Sequence, residues 1–528
     1  MKYILNAITG RLDLISNLVT DIAGLNTMLQ NKGLQIIAST GYNASDNTGP
    51  NLQLQTTTRI NVIPSVSASH IVLAFANYTG QSGGIGEQAG NSYPNIICCL
   101  ENSALGSETT QSSQRYIVKF SGQRWKTLDP YGIVYSDPIP FQVTKGVPFF
   151  IWVGMQVGGF AQPYCIGYSA KGGTAPGSIT ATGEGVILGG NICYPGSTAM
   201  TLGISQFGYA PSAVLGYSSS YCKSVGIMGD SIADNTTDGG MGALSGGYAE
   251  RICAGQLSLV RQYPVTPPVA YVKVPKCGET LAQYLANNMR RSELLTLCSN
   301  IFCEYGTNDI VNGATLATMK ANMLLNANYW TALGKKFVQT TILPRVTSTD
   351  GFVTTANQTP LATESVRQGV NSWLRDSSIN GFISQSANPT LTAVFDAAAP
   401  VEVNSSNVLT LNGSYWKIRG AAAHTGTLTT VTSLTSFTDS ALGAVQDYYR
   451  GYCLCMTSGA AANTQADIFS NSSGGLMALG SVSTGLSILP SAGDSYSLFN
   501  NQYTVDGTHP TSYGHTVISN TGNINIFI

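Results

Sequence analysis

Charge is scarce in this 528-residue chain: 26 Lys and Arg against 27 Asp and Glu, 10% in all, with a net charge of -1. That balance leaves no electrostatic footprint for nucleic acid, and no Lys/Arg cluster supplies one locally. Long apolar runs are also missing; none approaches the roughly 18 residues that a membrane span needs, so membrane insertion is not expected. The opening MKYILNAITGRLDLI places Arg11 and Asp13 where a signal peptide needs an uninterrupted apolar core, which argues against classical secretion. The 11 cysteines are odd in number and without CxxC pairs, so neither a zinc site nor a disulfide framework follows. Cys453 and Cys455 read as core packing on one strand face. Synthesis and folding in a reducing cytosol fit this pattern. Histidine is rarest of the groups that matter here, with four copies.

What the chain does have is 58 glycines and an abundance of Ser, Thr and Asn, the profile of strands and polar turns. Its length points to two to four domains, and its patterning divides it into four stretches. Residues 1–34 carry an amphipathic segment: over 3–30, Ile8, Leu12, Ile15, Val19, Ile22, Asn26 and Leu29 follow a 4-3 spacing. Ile at the d-like positions, with Leu, Val and Asn at the a-like ones, leans toward a coil of three or four strands, with a homotrimer as the preferred assembly. The alternative is a short helix lying on its own domain, and Gly10 and Gly24 weaken either helix. Residues 35–220 are short alternating segments such as SHIVLAFANYTG and GVPFFIWVGMQV between Gly, Pro and Asn turns, which predicts a β-sandwich or jelly roll.

Residues 221–400 alternate strand and helix: KSVGIM, GYAERICAGQLSLV, VAYVKV, TLAQYLANNMRRSELL, SNIFCEYG, the long ATLATMKANMLLNANYWTALGKK, FVQTTIL, TESVRQGVNSWLRD and TAVFD. Such alternation predicts an α/β domain with a parallel sheet, because each crossover must return over the sheet. Residues 401–500 revert to β patterning, with Asn412-Gly413 in LTLNGSYWKI as a hairpin signal. VDGTHPTSYGHTVISN reads as a loop leading into a final helix, so 401–500 is an insertion and 501–528 returns to the α/β domain.

Within this layout Ser231, in VGIMGDSIA, falls at the carboxyl end of the first parallel strand, where open α/β sheets place their ligands. A serine hydroxyl is a weak nucleophile until an imidazole takes its proton and a carboxylate orients the imidazole. Of the four histidines, His70, His424 and His515 lie in segments that give them structural or surface roles. His509 sits in Asp506-Gly-Thr-His509-Pro510, whose spacing can bring the carboxylate to the ring nitrogen that does not face the serine. At the ends of the next two strands come Lys276-Cys-Gly278-Glu-Thr280 and Tyr305-Gly-Thr-Asn308-Asp309. A glycine N–H and a side-chain amide there suit the donors that acyl transfer needs for its developing oxyanion; Asp309 reads as structural. Two other matches, Gly493-Asp494-Ser495 and Gly80-Gln-Ser82-Gly-Gly84, lack a following helix and read as turns.

The ordered blocks GDSI, KCGET, EYGTND and DGTHP resemble the SGNH (GDSL) hydrolase family, over residues 223–400 and about 500–520, with Ile232 where the family name has Leu. The resemblance implies a flavodoxin-like parallel sheet and a carboxylic ester hydrolase working through an acyl-enzyme. It makes Ser231 nucleophile, Asp506 and His509 its triad partners, and the Ser231 N–H, Gly278 and Asn308 the oxyanion hole; it implies no cofactor and no metal. The run NSALGSETTQSSQRYIVKFSGQRWKTLDPYGIVYSDPIPFQV, notably FSGQ and SDPI, resembles the β-sandwich preceding the catalytic domain in some bacterial and phage GDSL-type esterases. ITGRLDLI is similar to the opening of many phage tail and baseplate proteins. Together these lead to the expectation of a phage tailspike or tail-fibre esterase, made in the host cytoplasm and carried in the virion. It would remove O-acetyl groups from a bacterial surface polysaccharide and assemble with tail and baseplate proteins. Tyr415 and Trp416 of the inserted module are candidates for stacking on sugar rings. A glycan-binding adhesin without turnover and a bacterial lipase or thioesterase are the competing functions.

Overall fold

The computed structural model describes residues 33–42, 55–80, 87–89, 93–102, 115–156, 207–234, 247–253, 269–443, 448–449, 451–479 and 486–521. It also gives the backbone of the short strand segments at 4–5, 12–13, 47–48, 165–168 and 185–188. The N-terminal heptad lies almost wholly outside these residues. Where the backbone is described, Ile4–Leu5 pairs antiparallel with Leu12–Asp13, so the helix expected over 3–30 is corrected there. Leu12 occupies a strand instead of a heptad position, and Gly10, a poor helix former, falls between the paired segments. Ser82 of the Gly-rich decoy is also outside the described residues.

The front module is built on two larger antiparallel sheets and, among the described residues, also holds a three-stranded and a two-stranded one. Of the larger two, one is built around Gln55–Val62, Asn95–Asn102 and Phe149–Gln156; the other around Leu34–Ala38, His70–Ala76, Ile133–Tyr135 and Ala213–Tyr217. Strand side chains alternate between faces. Phe149, Ile151, Val153 and Met155 therefore enter the apolar core with Ile36, Ile71, Leu73 and Phe75, while Trp152 lies on the opposite face with the buried Arg59 and Glu101.

The α/β domain begins at β1 (Ser224–Met228) and continues through β2 (Ala270–Lys273), β3 (Asn300–Cys303), β4 (Lys336–Thr340) and β5 (Thr392–Phe395). All four pairings are parallel, in the order β2-β1-β3-β4-β5. The sheet is covered on both faces, as a parallel sheet with helical crossovers must be. Alternation sends Met228, Ile301, Cys303 and Phe337 to one face. There they meet α2 (Leu281–Ala286), α3 (Met289–Thr296), α5 (Leu316–Ala332) and α6 (Glu364–Arg375), in a core continuous with that of the sandwich. Val225, Ile227, Phe302 and Val338 go to the other face, against α1 (Tyr248–Cys253) and the last helix, α8 (Ser512–Thr521). The short helices α4 (Thr307–Val311) and α7 (Phe382–Gln385) complete the domain. The run expected as one helix over TLAQYLANNMRRSELL is two, α2 and α3, interrupted at Asn287 and Asn288, whose polar side chains compete with helical backbone bonding.

Asn412-Gly413 does make a turn, with Asn412 at φ +62° and Gly413 N–H donating to Thr410. Its flanks do not form the hairpin: Tyr415–Trp416 pairs with Glu402–Val403. Trp416 is fully buried with Val225 and Phe302 in the α/β core, so residues 402–416 pack as part of that domain. Beyond Gly420 the insertion is a seven-stranded antiparallel sheet. The continuous segment His424–Ser433 joins both of its edges, pairing with Ser495–Phe499 at one end and Ser436–Thr438 at the other. The sheet thus curls around Phe437, Leu454, Met456, Ile468, Met477 and Leu498, and Cys453 and Cys455 pack outside that core with Phe499.

Candidate active site

Ser231 stands three positions beyond the end of β1, in the turn Ser231–Asp234. The turn is held by Asp230, whose carboxylate accepts the Ile232 N–H at 3.0 Å and whose carbonyl accepts the Asp234 N–H at 3.0 Å. Burial of Ile232 and Ala233 pins it to the sheet. The hydroxyl is left half-exposed at the carboxyl end of the sheet, and His509, 278 positions later, reaches it: Ser231 Oγ and His509 Nε2 are 2.8 Å apart. On the other side of the ring, His509 Nδ1 is 2.6 Å from Asp506 Oδ2. A carboxylate at Nδ1 holds the proton there and leaves Nε2 as the acceptor facing the serine, the arrangement that activates a hydroxyl.

The Asp506–His509 loop is built for this placement. Asp506 Oδ1 accepts the Thr508 and His509 N–H groups, both at 2.8 Å. Thr504 Oγ1 accepts from Gly507 N–H at 2.9 Å and donates to the His509 carbonyl at 2.8 Å. Gly507 has φ +77°, and a Cβ there would lie 1.9 Å from the Val346 carbonyl oxygen, so no other residue fits. Its own carbonyl accepts from Val346 N–H at 3.0 Å and Trp416 Nε1 at 2.9 Å. Partial burial pushes the Asp506 carboxyl upward, but the hydrogen bond and charge of His509 and the two N–H donors outweigh it and hold the group below its usual range.

Gly278 and Asn308 stand at the ends of β2 and β3. Gly278 has φ +75° in a turn closed by Glu279 N–H to the Lys276 carbonyl. Asn308, at the start of α4, donates from Nδ2 to the Glu279 carbonyl at 3.1 Å and accepts from Arg345 Nη1 at Oδ1, 3.3 Å. The two contacts fix which way the amide faces. Asp309 is occupied structurally, accepting the Leu281 and Ala282 N–H groups at the start of α2 at 2.8 and 3.2 Å. Burial pushes its carboxyl up to about 6 against those N–H bonds.

The remaining histidines lie elsewhere. His515 is fully buried and accepts from the Tyr248 N–H; His70 lies beside Ser69 and Tyr217; His424 lies beside Tyr449 and Tyr496. Ser495 of the GDS decoy begins a strand of the inserted sheet. Trp416 is corrected as a sugar-stacking candidate, since its ring is inside the α/β core and its N–H is committed to Gly507.

Four features escaped the sequence reading. Arg345 holds Asn308, and partial burial lowers its pKa against the nearby charges of Asp230 and Asp506. Glu304 accepts the Asp230 N–H at 3.3 Å directly behind the Ser231 turn. Burial, then the Asp230 charge, push Glu304 well up, while burial raises Asp230 to about 6, so the buried pair favours holding a proton. Glu279, inside the KCGET block, carries an ion network, and Trp416 carries the His509 loop. Glu304 and Glu279 stand within the quoted blocks and were visible there; Arg345 and Trp416 have no local signal.

No protein-family model matches the chain, and no curated protein matches it. Among solved structures it is similar to a GDSL-like lipase from Bacteroides thetaiotaomicron, at 15% identity and a TM-score of 0.23 over 37% of this chain and 80% of that one. It is similar also to an acetylxylan esterase from Geobacillus stearothermophilus, at 18% identity and a TM-score of 0.23 over 34% of this chain and 77% of that one. Likenesses at such TM-scores carry no argument about activity, which has to rest on the geometry.

Proposed function

We propose that this chain is a serine esterase of the SGNH (GDSL) type that removes small acyl groups, O-acetyl foremost, from a bacterial surface polysaccharide, as part of a phage tail. The observation that carries the chemistry is the line of hydrogen bonds from Ser231 Oγ to His509 Nε2 and from His509 Nδ1 to Asp506, at 2.8 and 2.6 Å. Ser231 Oγ attacks the ester carbonyl as His509 accepts its proton, and the carbonyl oxygen takes the negative charge, held by the Ser231 N–H, Gly278 N–H and Asn308 Nδ2. Collapse expels the sugar hydroxyl, protonated by His509. Water, deprotonated by His509, then attacks the acyl-Ser231 carbonyl; acetate leaves and the proton returns to Oγ.

A small acyl group is favoured because no long apolar run that could serve as a lid or acyl-chain channel stands near the four blocks of the sequence. The polysaccharide reading is supported by an aromatic patch on the inserted sheet. Tyr448 (60% exposed) packs edge-on to Tyr449, and Tyr449 lies within 5.4 Å of Tyr452 and 5.7 Å of His424, centroid to centroid. Such rings offer flat faces and polar tips to saccharides. The phage-tail setting, the virion location and the tail partners rest on the resemblances of the front module and the N-terminal segment; the homotrimer rests on the 4-3 spacing from Ile15 to Leu29, which lies outside the described residues.

The test is hydrolysis of a chromogenic acetyl ester, followed by acetate release from capsule and O-antigen panels, with Ser231→Ala as control. Acetate released by wild type alone supports the reading. Equal release by both proteins, or glycan binding without turnover, sinks it; activity rising with acyl length would favour a lipase. Light scattering of the full chain reports the assembly state, and a monomer at micromolar concentration would remove the trimer.

A further inference from the structure

Glu87 lies in the strand Glu87–Ala89, paired with Tyr78–Gly80 of the front module, yet its side chain is buried in the α/β domain, the residue being 2% exposed. Its carboxylate accepts the Arg290 and Arg291 N–H groups at the start of α3 at 2.7 and 2.9 Å and Arg291 Nε at 3.3 Å. Its backbone meets Asn287: the Glu87 N–H donates to the Asn287 carbonyl, and Asn287 Nδ2 donates to the Glu87 carbonyl at 2.6 Å. Arg291 turns its other two nitrogens onto Glu279 in a fork of 2.6 and 2.8 Å. Glu279, fully buried, also accepts the Tyr305 hydroxyl. Glu279 is the chain neighbour of Gly278, and its carbonyl accepts Asn308 Nδ2. Both proposed side-specific donors of the oxyanion hole therefore hang on one residue.

We propose that Glu87 is a positioning residue for the oxyanion hole: through Arg291 and Glu279, the front sandwich fixes the Gly278 N–H and the Asn308 amide. The inference rests on the esterase reading above. A planar guanidinium held by two buried carboxylates has one orientation, and a bidentate fork transmits that orientation to Glu279. The Glu87 charge is met by the N-terminal N–H groups of α3 as well as by Arg291. Removing Glu87 leaves the Arg291–Glu279 pair matched in charge, so the domain retains a paired core while the guanidinium loses its second anchor.

The test uses the full chain and a soluble acetyl ester, with kcat and KM measured separately for Glu87→Ala, Glu87→Gln and, on the same helix, Glu293→Gln, whose residue pairs with Arg290 at the surface. Glu87→Ala is expected to lower kcat on the order of 10- to 100-fold with KM changed by less than about threefold, because a displacement well under 1 Å of donors is costly in the transition state. Glu87→Gln keeps one acceptor oxygen and should recover part of the loss; Glu293→Gln should keep wild-type kcat. In an Asn308→Ala background the Glu87→Ala effect should shrink to the part carried by the Gly278 N–H, since one of the relay's two targets is gone. Full additivity of the two substitutions, or an equal loss in Glu293→Gln, overturns the relay. So does a Glu87→Ala protein with a lower melting temperature but unchanged kcat. If wild type hydrolyses the ester and a fluorophosphonate labels Ser231, such results leave the esterase reading standing; if wild type neither hydrolyses nor is labelled, both fall.

Discussion

Replacing Asn308 with alanine separates stabilisation of the oxyanion from activation of the nucleophile. One N–H of its amide is spent on the Glu279 carbonyl at 3.1 Å, and Oδ1 is spent on Arg345 at 3.3 Å; the second N–H remains for the reacting oxygen. Removing one such donor typically lowers turnover by roughly 10²- to 10³-fold, about 2.7–4 kcal/mol of barrier, with a smaller effect on KM. The Glu279 carbonyl and Arg345 also lose a partner, at about 0.5–1.5 kcal/mol each, which lowers stability but leaves a folded protein to assay at 25 °C. Asn308→Asp distinguishes the two effects. It keeps the shape and gains attraction to Arg345, but sets a carboxylate oxygen against the Glu279 carbonyl and a negative charge beside the oxyanion. If Asn308 acts on the oxyanion, the Asp variant should be at least as slow as the Ala variant; if it acts only as a brace, the Asp variant should be the faster. Steady-state hydrolysis of an acetyl ester reads this, and a fluorophosphonate should still label Ser231 slowly in both. A kcat within threefold of wild type for Asn308→Ala would remove the residue from the site.

Ser231→Ala, His509→Ala and their combination should each lose turnover by factors on the order of 10³ or more with little additivity, because the pair acts as a unit; a near-normal rate in either single variant refutes the triad. Trp416→Phe removes the Nε1–H bond to Gly507. It should cost about 0.5–1.5 kcal/mol in a urea titration and lower kcat several-fold as the His509 loop loosens, whereas unchanged kinetics would make Trp416 a packing residue alone. Asp309 has its folded pKa raised from 3.8 to about 6, so its neutral form is favoured in the native state. Stability from this group is full below about pH 4 and lost as pH rises through 6, on the order of 3 kcal/mol at 1.36 kcal/mol per unit. Asp309→Asn should therefore flatten the fall in unfolding free energy between pH 4 and 7, leaving the part due to the Asp230–Glu304 pair; an unaltered slope contradicts the assignment.

The parallel sheet was legible because its information is local. Each strand is a short apolar run, each crossover carries helical spacing, and the four blocks fall at strand ends, where loops are fixed by the elements they join. Ser231, Gly278 and Asn308 could be located in this way, and His509 by its loop chemistry and the scarcity of histidine. What stayed hidden is what depends on distant chain segments meeting. Nothing in LTLNGSYWKI distinguishes an exposed Trp416 from one that is buried 91 positions upstream of the carbonyl it holds. Nor does the Glu87 sequence show that its partner lies 204 positions away on α3. The split of α2 from α3 was in principle readable from Asn287-Asn288, where two polar residues interrupt an otherwise helical text.

The insertion between β5 and the His509 loop shows how His509 can follow a whole extra module without losing its place beside Ser231. Where the inserted sheet starts and ends, the chain is clamped to itself: Gly420 N–H donates to Asn501 Oδ1 at 3.2 Å, and Ala423 N–H to the Leu498 carbonyl at 2.8 Å. The excursion is thereby closed, and its internal length adds only a slowly growing entropic cost. The loop beyond is tied to the α/β domain by Trp416 and Val346 on Gly507, braced within itself by Thr504 on Gly507 and His509, and held to the inserted sheet by Gln465 Nε2 on the Val505 carbonyl at 2.8 Å. Burial of the Arg367–Glu402–Arg375 cluster, with Arg–Glu distances of 3.1 and 2.6 Å, holds the hairpin bearing Trp416 against α6. Such a buried cluster is weak evidence for stability but costly to break, which makes it a device for register. His509 is thus registered to Ser231 by the α/β domain together with the inserted sheet, whose Tyr448 stays exposed for the saccharide contact proposed above.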